Sequence, residues 1–180
     1  MKNVFMEKIN YSKIYLIGMP ACGKTTIGKY LAERLHYQFV DLDEMIVAQE
    51  RKSIPLIFAN HGENYFREIE RLVLHQSFDF QKVVIATGGG TPCFFDNLNM
   101  LKKNGWAVYL QVSPESLTQR VLEQKGTRPL LQSTDYQTLL EQISEKLAHR
   151  KTFYEQAHLC LENEKISDEY LAQIYFNQVS

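Results

Sequence analysis

The sequence predicts a three-layer α/β fold, a five-stranded parallel sheet with helices on both faces. Three observations carry that prediction. Short, continuously apolar runs alternate with segments of helical periodicity, the pattern of parallel strands buried on both sides. Several of these runs end in glycine or aspartate, where the chain would leave the sheet. One of them passes straight through a glycine-rich turn into a helix. A chain of 180 residues suits one domain with a sizeable core, assigned to residues 13–180 after an extension at 1–12.

The elements follow in order. "KIYLIG" (13–18) is a buried strand closed by glycine, and "GKTTIGKYLAERLH" places Ile27, Leu31 and Leu35 at helical intervals. "YQFVDLD" (37–43) reads as a second strand with aspartates at its carboxyl end. A mostly helical stretch covers about 43–78, broken near "RKSIP". "KVVIATGGG" is a third strand stopped by three glycines, and "NGWAVYLQV" a fourth. "SPESLTQRVLEQ" opens a helix with Ser113 as N-cap and Pro114 in the first helical position. "KGTRPLLQSTD" has no periodicity and reads as a loop, part of a segment at about 123–136. A long helix runs through "YQTLLEQISEKLAHRKTFYEQA", "HLCLE" supplies the fifth strand, and "SDEYLAQIYFNQV" a closing helix. Parallel sheets bind ligands at the carboxyl ends of their strands, and the chemistry-bearing motifs fall there or on adjacent helices and loops.

Composition narrows the classes of function. A net charge of −1 gives no global attraction for nucleic acid or an anionic membrane surface, so a bound anion must be held by local geometry. No apolar run is long enough to span a bilayer, and the first residues lack the apolar core of a secretory signal. Three widely spaced cysteines suit reduced thiols, and a cytoplasmic location is expected.

Gly18-x-x-x-x-Gly23-Lys24-Thr25 has the spacing of a phosphate-binding loop. Its glycines allow successive backbone N–H groups to turn inward as a nest for phosphate oxygens, and the following helix points its positive end at the same place. Lys24 reaches the β- and γ-phosphates, while the Thr25 hydroxyl can ligate Mg²⁺. Ala21, Cys22 and Thr26 complete the ATP-contacting stretch. Cys22 is read as a spacer whose backbone does the binding, in preference to a redox thiol. An aspartate closing the "VVIAT" strand is missing, and no Asn-Lys-x-Asp occurs, which disfavours motor ATPases and signalling GTPases and leaves small-molecule kinases.

"FVDLD", "FREIE", "ATGGG", "TRPLL" and "HRKTFYEQA" then follow in the order and approximate spacing of shikimate kinases, which the chain resembles from about residue 12 to 162. The resemblance implies a P-loop kinase fold that transfers phosphate from ATP to the 3-hydroxyl of shikimate, using Mg²⁺, within aromatic amino-acid biosynthesis. It implies that Asp43 contacts the acceptor hydroxyls and takes the attacking proton, and that Asp41 helps hold hydrated Mg²⁺. Both aspartates are expected on one side of a strand by period-two alternation; a helix cap is the alternative use of such a carboxylate. Arg67 and Glu70, three apart on a helix, share a face; the arginine fork suits the substrate carboxylate and Glu70 orients it. Phe58 and Phe66 are expected beneath them. The resemblance further implies that Gly88, Gly89 and Gly90 let the acceptor approach bare backbone, that Arg128 is a lid arginine that moves onto the phosphates, and that Arg150 is a second carboxylate-binding arginine.

Arg120 and Lys125 are candidates for adenine contacts, while Lys151 reads as a surface charge. His158 occupies a position where the family usually has alanine and is not assigned to catalysis. A gluconate-type or other small-metabolite kinase shares the phosphate loop without needing Arg67 and Arg150 around a ring acid; a non-catalytic nucleotide-binding regulator would not need Asp43 and Lys24. A monomer is expected.

Overall fold

The structure, a computed structural model, describes residues 12–125 and 135–162. Five strands, β1 (Lys13–Ile17), β2 (Gln38–Asp41), β3 (Val83–Ala86), β4 (Trp106–Gln111) and β5 (Leu159–Glu162), form one sheet in the order β2-β3-β1-β4-β5. Every neighbouring pair is parallel. The three inner strands are almost wholly buried, which explains their unbroken apolar runs, whereas β2 and β5 at the edges are only partly covered.

Among the described residues six α-helices connect and cover the strands: α1 (Lys24–Leu35), α2 (Leu42–Glu50), α3 (Ile54–Gln76), α4 (Asn97–Asn104), α5 (Pro114–Lys125) and α6 (Tyr136–Tyr154). From β1 the chain steps two places one way through α1, then returns past β1 to β4 and β5. Right-handed crossovers therefore put α1 on one face and the later connections on the other. The core gathers around the central strands, with Ile14, Leu16, Ile85 and Leu110 fully buried. Tyr15, also buried, shares a hydrogen bond with Ser77 at 3.1 Å, so its phenol does not enter the core unpaired.

Asp135, not singled out in the sequence, caps α6 by accepting from Gln137 and Thr138. One sequence expectation holds in detail: Ser113 accepts the Ser116 N–H through its hydroxyl and opens α5 ahead of Pro114. Others need correction. Asp43 does not lie on β2: it sits in the first turn of α2, and Asp41 is the N-cap whose side chain accepts the Asp43 N–H at 3.0 Å. The two carboxylates converge through a cap, not through strand alternation. The third strand stops at Ala86, before Thr87 and the glycines. The long helix ends at Tyr154 instead of running to Ala157, so His158 lies beyond it, at the start of β5. Helix α4 was not anticipated; it buries Leu98 and Leu101 on one short face. Within α3 the helical path is interrupted at Gly62, whose φ of 79° is one that a side-chain-bearing residue seldom adopts. The extension before residue 12, Arg128 with most of its loop, and the expected closing helix lie outside the described residues.

Candidate active site

The phosphate loop follows β1 directly. Gly23, at φ 98°, caps α1 in the left-handed region without a side-chain hydrogen bond, and Ala21 also takes positive φ. Lys24 turns back over the loop: its ammonium donates to the carbonyls of Gly18 and Met19, both at 2.9 Å. Cys22 is buried, with its sulfur 3.7 Å from the same ammonium, which suits a structural spacer. Arg120 of α5 reaches across to the loop carbonyls of Ala21 and Cys22 at 3.5 and 3.3 Å. One adenine candidate therefore does lie on the nucleotide-loop side.

A cavity of about 350 Å³ joins these groups to the strand ends. Ala21, Gly23, Lys24, Thr25 and Thr26 line it from the loop, and Asp41, Asp43 and Gly89 from the opposite side. Pro20 and Thr87 complete the wall and were not singled out in the sequence. Thr25 donates its hydroxyl to Asp41 Oδ2 at 3.1 Å, so the two expected metal-site residues are in direct contact. A second cavity, about 420 Å³, opens at the ends of β4 and β5 between Gln111, Ser113, Leu147 and Glu162; it holds none of the reactive groups discussed.

Asp43 is electrostatically unusual. Burial pushes its carboxyl up to about 6, and the negative charges of Asp41 and Glu70 push the same way, while Lys24 and Arg67 oppose them. A carboxyl poised near neutrality can accept a proton and later release it.

Beside Asp43 stand the residues expected to bind the acceptor. Arg67 is 8% exposed and Glu70 1%, and they pair at 2.9 Å through Arg67 Nη1. This is a buried, oriented pair and not a surface ion pair. The guanidinium lies 4.0 Å from the Phe94 ring centroid and 5.1 Å from Phe66, which itself packs against Phe58 at 4.5 Å. Its Nε and Nη2 both donate to Glu63 Oε1, at 3.2 and 2.9 Å. The remaining Glu70 oxygen accepts from the Thr91 hydroxyl at 2.7 Å. Glu63, Thr91 and Phe94 are thus parts of the site that the sequence reading missed. Only Glu63 carried a signal, the four-residue spacing to Arg67.

The glycine run works through absence of side chains. A Cβ on Gly88 would stand 2.5 Å from Glu70 Oε1 and 3.0 Å from Asp43 Oδ1; one on Gly90 would stand 2.7 Å from Arg67 Nη1. On Gly89 it would meet Pro20 of the phosphate loop at 2.7 Å and Arg150 Nη1 at 3.2 Å. Gly89 is therefore the point where the phosphate loop, the glycines and Arg150 come together. Lys151 points elsewhere, half exposed and 3.5 Å from Glu155. His158 accepts the Ala107 N–H at 3.0 Å through Nδ1, capping the edge of the ladder far from this chemistry.

A family model for shikimate kinase matches residues 20–179. A shikimate kinase of Parabacteroides distasonis is 43% identical over 157 residues, 87% of this chain and 91% of that protein. The solved shikimate kinase from Bacteroides thetaiotaomicron superposes with a TM-score of 0.83 at 36% identity, covering 93% of this chain and 95% of that one. A shikimate kinase from Acinetobacter baumannii, solved in complex with shikimate, gives a TM-score of 0.80 at 35% identity over 94% of this chain and 93% of its own.

Proposed function

The chain belongs to the shikimate kinase family, and from that premise we propose how its own residues divide the work of phosphoryl transfer. The reaction is ATP plus shikimate giving ADP and shikimate 3-phosphate. The observation that carries the assignment of roles is the shared cavity, in which Lys24, Thr25, Asp41 and Asp43 meet Gly89.

ATP lays its phosphates along the loop from Gly18 to Thr26, held by backbone N–H groups and by Lys24 once its ammonium leaves the loop carbonyls. The Thr25 hydroxyl and Asp41 carboxylate, 3.1 Å apart, are hard oxygen donors of the kind Mg²⁺ takes when it also keeps waters and phosphate oxygens. Among the described residues no cluster of three or more His, Cys, Asp or Glu forms a metal cage, so a phosphate-shared ion suits this donor set. When bound, Mg²⁺ supplies positive charge against the phosphate oxygens. Arg128 adds a second such charge from the lid and helps to exclude water, a rival acceptor that would hydrolyse ATP.

Shikimate brings a carboxylate and ring hydroxyls. Arg67 and Arg150 bind the carboxylate, the bare backbone of Gly88, Gly89 and Gly90 admits the ring, and Asp43 orients the attacking hydroxyl and takes its proton. The transition state of phosphoryl transfer is loose, so positioning and charge neutralisation outweigh the strength of the base. ATP as the phosphoryl donor supports a cytoplasmic setting for the step.

The decisive experiment is a coupled ADP-release assay with shikimate, with gluconate and with no acceptor. Turnover that depends on shikimate is expected. Equal ADP release in all three would overturn the proposal.

A further inference from the structure

The two carboxylates that hold Arg67 are not equivalent. The Glu63 side chain is 56% exposed, that of Glu70 only 1%. A carboxylate taken out of water keeps one direction only when both of its oxygens are engaged. Glu70 meets that condition: Oε2 accepts from Arg67 Nη1 at 2.9 Å, and Oε1 accepts the single hydroxyl proton of Thr91 at 2.7 Å. Thr91, itself fully buried, is pinned through both of its backbone groups. Its N–H donates to the Gly88 carbonyl at 3.2 Å, and its carbonyl accepts from Nδ2 of Asn97, the buried first residue of α4, at 2.9 Å. A continuous line of hydrogen bonds thus runs from α4 through the turn after the glycines to α3.

We propose that Thr91 is a positioning residue for the acceptor: its hydroxyl fixes Glu70, and Glu70 in turn aims the Arg67 guanidinium before the acceptor carboxylate arrives. The inference rests on the reading of Arg67 as a carboxylate-binding arginine. Two properties suit a hydroxyl to this place. It is neutral, so it engages one Glu70 oxygen without competing as a cation for the other. It is also short. A Cβ on Gly88 would stand 2.5 Å from Glu70 Oε1 and 3.0 Å from both Thr91 Oγ1 and Asp43 Oδ1, so these three groups crowd around one bare backbone position. Asp43 therefore shares that point with a carboxylate oxygen already engaged by a donor. An arginine held in its binding direction beforehand loses less freedom when the ligand docks.

Thr91→Val keeps the branched shape and removes the donor, and Thr91→Ser restores the donor without the methyl. In Thr91→Val the acceptor KM should rise about tenfold, as for a lost hydrogen bond to a charged group, with the ATP KM within about twofold and kcat within about threefold. Thr91→Ser should return the acceptor KM to within about twofold of wild type. Beside Arg67→Lys, Thr91→Val should add little, because the fork that it aims has gone. An unchanged acceptor KM in Thr91→Val overturns the proposal, as does a tenfold effect that persists in full beside Arg67→Lys. Equal rises in both Michaelis constants, or a Thr91→Ser variant as impaired as Thr91→Val, mark the position as packing only and also overturn it. Should Thr91→Val not fold, Thr91→Ala takes its place and is read by the same criteria. If Arg67→Lys alone leaves the acceptor KM unchanged, the reading of Arg67 itself fails; if it raises KM and Thr91→Val does not, only the role of Thr91 fails.

Discussion

Asp43→Asn should stabilise the protein at neutral pH while removing most of its activity. The Asp43 carboxyl is raised from 3.8 to about 6 by burial and by the charges of Asp41 and Glu70. Its folded-state value lies above its unfolded one, so the folded protein holds this proton more tightly than the unfolded chain does. The resulting stability is fully present below about pH 4 and is lost as pH rises through about 6. At about 1.4 kcal/mol per pH unit, the difference of roughly two units is about 3 kcal/mol. Solvent screening over the part of the carboxyl that faces water trims this to about 1–2 kcal/mol. Asparagine resembles the protonated form at every pH. Thermal unfolding at pH 7.5 should therefore show the variant higher by about 2–8 °C, with the gap closing by pH 4. Turnover should fall about 10²–10⁴-fold with ATP binding retained, and the wild-type kcat/KM for the acceptor should rise through about pH 6. A variant no more stable than wild type across that whole range would refute the electrostatic reasoning. Unchanged turnover would refute the role of the base.

Arg67→Lys should raise the acceptor KM about tenfold or more with kcat less affected, because one ammonium cannot satisfy Glu63, Glu70 and an incoming carboxylate together; an unaltered KM would remove Arg67 from acceptor binding. Gly90 has ordinary negative φ, so Gly90→Ala tests space alone: its methyl would press on the guanidinium at 2.7 Å, and steady-state kinetics should show a higher acceptor KM with an unchanged ATP KM. Arg128→Ala should lower kcat about 10²–10³-fold if that arginine neutralises the transferring group, and a kcat within twofold of wild type would exclude the lid role.

What could be read in advance was the chemistry encoded locally. A phosphate nest is built from consecutive backbone groups, so the spacing from Gly18 to Thr25 was enough to place it. Buried parallel strands announce themselves as apolar runs, and all five were found. The limits arose where local pattern is ambiguous or where partners are distant. Four residues ending in "DLD" fit a strand or a helix cap equally well, and the N-cap hydrogen bond at Asp41 decided between them. Helix α4 shows only two buried leucines among asparagines and lysines, too little periodicity to recognise. Thr91 meets Glu70 across 21 positions and Tyr154 meets Gly89 across 65; such contacts exist only after the sheet has brought the segments together. Glu63 could have been read, since it stands one helical turn before Arg67 in "GENYFRE".

The ammonium of Lys24, already shared by the carbonyls of Gly18 and Met19, makes the arrival of a triphosphate an exchange of oxygen partners and not a fresh docking. The loop arrives pre-shaped by its own cation, at the cost of two bonds that the nucleotide must replace. Poorly charged mimics of the donor's tail would have little with which to bid the lysine away. Compounds aimed at this loop should accordingly gain more from anionic oxygens than from added bulk.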